Sequence, residues 1–489
     1  MGSRVVGVVV ETSTRGGRKR TPVGGPRTLD LGGEFLGSTM GHLDRSLRLE
    51  AIAAALSRNP SATFPEAFGT RSETEAAYDF FANPRVHPRD ILEPHHRESA
   101  LRCMEEHGDI LLVSDTTEVS YNGVREGLGP LSDGRQGFFL HSVLALRGDG
   151  TRHVLGVLDA HAWVRPPRVP GARKKLSRER YADPNKESLR WGRGVDAAMA
   201  RLEERASGRV IHVMDREADD FALLHQLVQD GRLFVIRVKH DRRTVAEEGE
   251  APHKLFEHLD GCRGVCTRKV RLSRRLAKSH PKAMKNHPPR EYRDAVLSFC
   301  AGEVGIARPY NASKASAARL PLNLVRAWEE SPPDGDEPVE WRLFTNLPVG
   351  DADAVLRVVD IYRDRWTIED FHKALKAGCS IEKRQLESGR ALINATMVSI
   401  PLAYGLLRLR TCAATQPDLP ARELLTAAEL TVLTTMAKLP KKATVADALA
   451  AVARLGGHMP NNGAAGWLVL TRGYRKFRLL ADYEETRDA

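Results

Sequence analysis

The apolar residues of this chain change their spacing several times, and each change predicts a different kind of element. From Leu43 to Leu56 and from Glu73 to Phe81 they recur at helical spacing, which indicates a small helical region. Short runs rich in β-branched and aromatic residues follow at Ile110 to Val113, Phe138 to Leu146 and His153 to Leu158. These runs predict three neighbouring strands.

A helical pattern then alternates with short apolar runs. A helix is predicted from about Lys186 to Arg205, a strand over Val210 to Met214, a helix over Ala218 to Val228 and a strand over Phe234 to Val238. The order β-β-β-α-β-α-β predicts an α/β domain. It differs from a doubly wound alternation because three strands precede the first helix.

The remaining parts of the chain have other patterns. After Lys239 about a hundred residues carry strand-like runs, until a helix begins near Asp353. The division expected from these patterns has four parts, listed here: a flexible basic arm at 1–33, a helical domain at 34–100, an α/β domain at 101–385 with a β-rich insertion at about 241–350, and a helical domain at 386–489.

Charge favours a polyanionic partner. The chain has 74 Lys and Arg against 63 Asp and Glu, a formal net charge of +11 and a pI near 9.4. Nucleic acid is the leading candidate. The segment from Arg268 to Arg290 holds nine Lys and Arg and no acidic residue, which suits a DNA clamp.

The apolar runs and the cysteines predict the cellular compartment of the protein. No apolar run is expected to approach about 18 residues, and the first residues lack a long apolar signal core, so neither a membrane span nor secretion is expected. The six cysteines are scattered and do not resemble a disulfide framework. A reducing cytoplasm, with the protein associated with the nucleoid, is therefore predicted.

Candidate chemistry begins on a single helix. At about 100° of rotation per residue, Tyr362, Arg365, Glu369 and Lys376 fall within an arc of about 60° on one face. A carboxylate, two cations and a phenol on one face suit a metal site that acts on a phosphodiester. The alternative is a solvated face in which Arg365 and Glu369 form an ordinary i,i+4 pair.

Two strand-end aspartates complete the candidate site. Asp115 follows the strand that begins at Ile110, and Asp215 follows the strand from Val210 to Met214. If the two strands are neighbours, the two carboxylates lie close together and repel one another unless a cation neutralises them. Oxygen ligands favour Mg²⁺ or Mn²⁺. Each aspartate could instead be a helix N-cap or a turn residue.

At this point the sequence resembles a known family, the DDE cut-and-paste DNA transposases of the bacterial insertion-sequence-four group, especially the transposase of transposon five. The motifs that carry the resemblance are Asp115-Thr-Thr, Phe139-Leu-His141-Ser-Val, Asp215-Arg-Glu-Ala-Asp219, Glu340-Trp341 and Tyr362-x2-Arg365-x3-Glu369-x6-Lys376. The resemblance spans about residues 38–480 and implies an RNase H-like catalytic core with a mixed sheet.

The resemblance also implies roles for individual residues. Asp115, Asp215 and Glu369 would hold two Mg²⁺ ions per active site, for which Mn²⁺ substitutes. Trp341 would stack near a flipped base while the flanking strands are closed as a hairpin; its alternative is a core anchor. The phosphate-contacting residues implied are Tyr362, Arg365, Lys376 and, more distantly, Arg237, Lys239 and Arg384.

The two helical domains have implied partners. The N-terminal one would recognise inverted repeats in double-stranded DNA, and its cations Arg45, Arg48 and Arg58 would contact phosphates or simply form a solvated face. Glu75 and Tyr78 match the family, whereas Asp79 stands where an arginine is expected. The C-terminal helices would form a homodimer in the synaptic complex.

The function implied is cut-and-paste transposition, with phosphodiester hydrolysis, hairpin formation and resolution, and strand transfer. Two other functions remain open. One is a catalytically silent DNA-binding or inhibitory derivative, against which the presence of all three carboxylates argues. The other is an RNase H-like nuclease without strand transfer, which would give nicked products and no joined ones.

Overall fold

The computed structural model describes residues 32–167, 183–202, 209–245, 253–260, 264–272, 289–459 and 463–487, together with isolated residues between these ranges. The predicted arm at 1–33 lies almost entirely outside the described residues. So does most of the basic segment between Arg268 and Arg290, of which only the two ends are described.

Helices build the N-terminal part, as predicted. They are Leu43–Arg58 (α1), Phe64–Phe68 (α2), Arg71–Ala82 (α3) and Pro88–Met104 (α4). The apolar residues of α1 and α3 that recur at helical spacing are buried, among them Leu49, Ile52 and Phe81. The sequence pattern did not predict α4, whose buried face includes two histidines, His95 and His96.

One mixed sheet forms the centre of the molecule. Its strands are Ile110–Tyr121 (β1), Gly129–Pro130 (β2), Gln136–Arg147 (β3), Val154–Trp163 (β4), Val210–Met214 (β5), Leu233–Arg237 (β6), Cys266–Leu272 (β7), Arg293–Ala307 (β8), Arg319–Glu329 (β9) and Glu340–Thr345 (β10). Among the described residues the order is β2-β3-β1-β5-β6-β10-β9-β8-β7, and β4 also pairs with β3. The prediction of a mixed α/β core is confirmed.

Helices cover both faces of this sheet. The α-helices between β4 and the C-terminal part are Leu189–Leu202 (α5), Phe221–Gln229 (α6), Ala352–Asp364 (α7) and Trp366–Lys373 (α8). Ile110 and Leu112 of β1 share an apolar cluster with α4 and α5, whereas Leu111 and Val113 belong to the cluster that includes α7. A strand covered on both sides is apolar at successive positions, which explains the continuous apolar run before Asp115.

The predicted β-rich insertion extends this central sheet. Its strand β10 pairs antiparallel with β6, and β9, β8 and β7 follow outward from it. Hydrogen bonding therefore continues from the strands β5 and β6 into the insertion. The residues just before β10, Gly335 to Val339, border the same cavity as Asp215, the residue that follows β5.

The C-terminal part is helical, as predicted. Its helices are Gly389–Thr415 (α9), Ala427–Ala437 (α10), Val445–Leu455 (α11) and Trp467–Arg487 (α12). The expectation that no apolar run approaches the length of a membrane span is wrong for α9, which is long and apolar enough by composition. Nearly all of its apolar stretch is buried inside the protein, which is typical of a core helix.

Candidate active site

Asp115 and Asp215 lie side by side where the parallel pairing of β1 with β5 ends, but Asp115 is inside β1, which runs on to Tyr121, and the prediction that it lies at the end of its strand is wrong. β1 and β5 are parallel, and their register pairs Ser114 with Met214, so each aspartate is the next residue of its strand. β1 continues beyond Asp115 in its pairing with β3. β5 ends at Met214, and the chain turns into a short 3-10 helix at Arg216–Ala218. The predicted adjacency of the two strands is confirmed.

Each aspartate uses one oxygen in a local hydrogen bond to the backbone. The Asp215 Oδ1 atom accepts a hydrogen bond from the Glu217 backbone N–H at 2.7 Å, as an N-cap does. The Asp115 Oδ1 atom accepts one from the Thr116 N–H, also at 2.7 Å, within strand β1. The N-cap role considered above therefore exists for Asp215, whereas Asp115 is neither a cap nor a turn residue, and the second oxygen of each carboxylate is left for another partner.

Arg365 joins the third carboxylate to the first. It lies between α7 and α8, and its Nη2 atom donates to Glu369 Oε1 at 2.9 Å. Its Nη1 atom is 3.5 Å from Asp115 Oδ2. The i,i+4 pair of Arg365 and Glu369 is thus present, but Arg365 is only 5% exposed, so this pair is not part of a solvated face.

Electrostatics at this point favour a cation. Burial, and then the like charge of Asp215, raise the pKa of Asp115 to about 7. Arg365 opposes that rise because its positive charge stabilises the carboxylate. The pKa of Asp115 is raised in spite of Arg365, so the repulsion between the two carboxylates is not fully balanced at this aspartate.

The donor set fits a hard divalent cation only after Arg365 moves. In the described part of the chain, no three Asp, Glu, His or Cys side chains are grouped closely enough to hold a metal ion as they stand. The guanidinium of Arg365 lies against two of the three predicted ligands. Carboxylate oxygens are nevertheless the ligands that Mg²⁺ and Mn²⁺ prefer.

A cavity of about 620 Å³ opens beside this cluster. Its walls include Asp215, Glu369 and Trp341. Tyr362 also borders it but is only 1% exposed, and its ring packs edge-on against Trp341 at 5.5 Å. The arginines that line the cavity are Arg216, Arg237, Arg274, Arg290 and Arg365. The cavity is therefore lined by carboxylates, by several guanidinium groups and by an indole.

The predicted lysines differ in their surroundings. Lys376 donates from Nζ to the Glu118 carbonyl oxygen and lies 3.5 Å from Glu382 Oε1. Lys239 is exposed, and its backbone N–H donates to Asp219 at 2.7 Å. Lys376 therefore has to leave a carbonyl and a carboxylate before it can contact a phosphate.

The implied DNA contact of Arg384 is wrong for this structure. The residue is 7% exposed, and its guanidinium donates to the carbonyl oxygens of Pro60, Ala62 and Cys379. It also lies over the ring of Phe64 at 4.8 Å. Arg384 therefore attaches the N-terminal helices to the catalytic core, and three of its five N–H donors are directed at backbone carbonyl oxygens.

The candidate residues of the N-terminal domain are partly engaged already. Arg45 donates from Nε to the Met40 carbonyl oxygen at 2.9 Å. Arg58 is paired with Asp482 of α12 at 3.1 Å. The side chain of Glu75 pairs with Arg71 at 2.7 Å. The fourth candidate, Arg48, is partly exposed on α1.

Two residues beside the site were not predicted from the sequence. Trp366 lines the cavity and is 46% exposed, which is high for an indole. Its position directly after Arg365 was the available signal. Arg190, on α5, contacts residues that follow both aspartates. Nothing in its local sequence distinguishes it, because its contacts are made only in the folded chain.

Comparisons with known proteins agree with this organisation. The family described as Transposase DNA-binding matches residues 34–86, and the family described as Transposase DDE domain matches residues 193–401. The second range contains Asp215 and Glu369, whereas Asp115 lies outside both.

A solved structure is also similar, at a low level. It is the cryo-EM structure of a piggyBac transposase synaptic complex with hairpin DNA, at 11% identity and a TM-score of 0.32. The similarity covers 86% of this chain, and the chain spans 63% of the length of that transposase. A TM-score this low does not establish a common fold. The two family matches support a DDE transposase, with a match to a transposase DNA-binding region ahead of the match to a DDE domain.

Proposed function

We propose that this protein catalyses cut-and-paste transposition: it binds inverted terminal repeats, cleaves the transposon ends through hairpins and transfers the free strands into target DNA. The observation that carries the proposal is the approach of Asp115 and Glu369 to one guanidinium, with Asp215 on the adjacent strand end. The match to a DDE domain supports it.

Asp115, Asp215 and Glu369 are the proposed ligands of two Mg²⁺ ions. When bound, such ions activate the attacking water or 3′-hydroxyl and stabilise the leaving oxygen of an in-line displacement. Each aspartate keeps one oxygen on a backbone N–H, so its orientation is fixed before any ion binds. In this proposal Arg365 holds the buried carboxylates together until then.

The cations around the cavity then serve the DNA. Once released from the carboxylates, Arg365 is close enough to the cavity to meet a phosphate, and Arg237 lines the same wall. Lys376 and Lys239 contact the strand on either side in this proposal. Tyr362 is too buried for a direct phosphate contact unless the indole of Trp341 moves away from its ring.

Trp341 is the proposed stacking surface for a flipped base. It lies in the cavity wall on β10, within reach of the same space as Glu369. Expelling a base costs a few kcal/mol, which stacking on an indole offsets. The C-terminal helices α9 to α12 are the proposed dimerisation region of a synaptic complex.

The test compares Glu369→Ala with Asp370→Ala on a duplex that carries the element's own terminal repeat. Asp370 is the neighbouring carboxylate and pairs with Lys373 at 3.1 Å, away from the cluster. We expect both variants to bind the duplex, and only Asp370→Ala to give Mg²⁺-dependent nicks, hairpins and joined products.

Other results would favour other functions. Normal cleavage by Glu369→Ala would remove it from the ligand set. Nicked products without any joined product from the wild-type protein would indicate a nuclease. Binding without cleavage by the wild-type protein would indicate a silent DNA-binding derivative.

A further inference from the structure

Arg190 connects the segments that follow the two aspartates. Its Nε atom donates to Thr116 Oγ1 at 2.8 Å, and its Nη2 atom donates to Glu217 Oε2 at 2.7 Å. Thr116 directly follows Asp115 within β1, and Glu217 is two residues after Asp215, in the short 3-10 helix that follows β5. One guanidinium on α5 therefore links the middle of β1 to the residues after β5.

The Thr116 hydroxyl lies between two partners. Arg190 can only donate, so the hydroxyl oxygen accepts from its Nε atom. The same hydroxyl is 2.9 Å from His141 Nδ1 and either donates to that nitrogen or accepts from it, according to the tautomer of the imidazole. Burial, and then the charge of Arg190, lower the pKa of His141 and so favour its neutral form.

The residues that Arg190 holds are the ones that orient the carboxylates. The backbone N–H of Thr116 donates to Asp115, and the backbone N–H of Glu217 donates to Asp215, each at 2.7 Å. A guanidinium is planar and its donors have a fixed separation. The distance between Thr116 and Glu217, and with it the distance between the two carboxylates, is thus coupled to a rigid group.

Packing keeps Arg190 in this position. Its side chain is 13% exposed and lies 5.7 Å from the ring centre of Trp163 and 5.2 Å from that of Trp191. Its Nη1 atom donates to the Glu187 carbonyl oxygen at 3.0 Å. Gly194 of the same helix lies so close to β3 that a Cβ atom there would be 3.1 Å from His141 Nε2. Helix α5 is therefore fixed against the sheet at this point.

We propose that Arg190, through Thr116 and Glu217 and with His141 behind Thr116, is a positioning residue that sets the spacing of Asp115 and Asp215 for metal binding. It hydrogen-bonds to Thr116 and Glu217 rather than to the carboxylates themselves, while its charge also acts on both aspartates. This inference rests on the proposed metal-dependent function. Partners that orient metal ligands from behind typically change metal affinity by about 10- to 100-fold when they are removed.

The experiment measures Mn²⁺ binding to the full chain without DNA, by the loss of the free-ion paramagnetic resonance signal, together with the melting temperature. Thr116→Val removes the hydroxyl and keeps the side-chain shape, whereas Thr116→Ser keeps the hydroxyl. Arg190→Gln removes the guanidinium that bridges Thr116 and Glu217, whereas Arg190→Lys keeps the positive charge without that bridge. Arg193→Gln is the matched control, since Arg193 on the same helix donates to the Pro184 carbonyl.

We expect Thr116→Val, Arg190→Gln and Arg190→Lys each to weaken Mn²⁺ binding about 10-fold. Thr116→Ser and Arg193→Gln should stay close to wild type. The double variant of Thr116→Val with Arg190→Gln should lose little more than either single variant, because both break one connection.

Unchanged Mn²⁺ affinity in Thr116→Val and Arg190→Gln, with wild-type binding intact, would overturn this inference and leave the proposed function standing. So would full rescue by Arg190→Lys, because charge alone would then suffice. A lower melting temperature with unchanged affinity would show a purely structural role and would also overturn it. A wild-type protein that binds no Mn²⁺ would overturn both proposals.

Discussion

Replacing Arg365 with glutamine should make the protein less stable without metal and should make metal bind more tightly. In the wild-type chain the guanidinium contacts Glu369 at 2.9 Å and Asp115 at 3.5 Å while it is almost fully buried. Glutamine has a similar stem and no charge. In the variant, the carboxylates of Asp115 and Glu369 would lose the cation that they share. They would then repel each other and the nearby carboxylate of Asp215.

The size of the effect follows from the burial of the pair. Removing one partner of a buried ion pair costs about 3–5 kcal/mol, and Glu369 is partly exposed, so we expect a loss of about 3 kcal/mol in the free energy of unfolding. A metal ion at a concentration about 100 times its dissociation constant raises the free energy of unfolding by about 2.7 kcal/mol. The wild type should gain less from the same ion, because the ion has to displace Arg365.

The assay is urea unfolding with chelator and with millimolar Mn²⁺, for the wild type, Arg365→Gln and Arg363→Gln. Arg363 is the matched control because it pairs with Asp360 at 3.2 Å on an exposed part of the same helix. Exposed pairs contribute about 0–1 kcal/mol. Equal stabilisation of all three proteins by Mn²⁺ would refute the reasoning, since Arg365 would then not compete with the ion.

Three further predictions concern other parts of the molecule. Although burial opposes it, the hydrogen bond and charge of His95, with those of an adjacent arginine, lower the pKa of Glu34 from 4.5 to about 2. The lowered pKa stabilises the folded protein above about pH 4.5, and this stabilisation is lost as the pH falls toward 2. Glu34→Gln should remove about 3 kcal/mol of it, which would appear as a flatter dependence of the free energy of unfolding on pH in the acid range. An unchanged pH dependence would contradict this role of Glu34. Arg384→Met should lower the melting temperature and leave the affinity of the folded protein for the terminal repeat unchanged. The control variant Lys383→Met, at an exposed neighbouring position, should change neither quantity. Reduced affinity at an unchanged melting temperature would instead indicate that Arg384 contacts DNA. Trp341→Ala should still nick the first strand and accumulate few hairpins on a denaturing gel, and a normal hairpin yield would remove the indole from the mechanism.

Sequence alone predicted the convergence of Asp115 and Asp215 because it needs only a parallel pairing of two apolar strands. It also predicted most helices and strands, since their apolar spacing is regular. Helix α4 was missed because its buried face uses His95 and His96, which a pattern of apolar residues counts as polar. His95 has a partner in Glu34, whereas among the described residues neither ring nitrogen of the buried His96 has a hydrogen-bond partner.

The parts that were not predictable depend on contacts between distant segments. Arg384 resembles a DNA-contacting residue by its place in the sequence, yet its partners Pro60 and Ala62 lie over 300 residues away and claim its donors. The insertion reads as a separate block because nothing local shows that β10 pairs with β6. Arg190 could not be found for the same reason, since both of its partners come from other elements.

The most direct measurement is the anomalous scattering of Mn²⁺ in crystals of the full chain grown with that ion. Manganese density should lie within bonding distance of Asp115, Asp215 and Glu369, with the guanidinium of Arg365 withdrawn from between them. Density at other sites only, with Arg365 still bound to Asp115 and Glu369, would contradict the shared metal site.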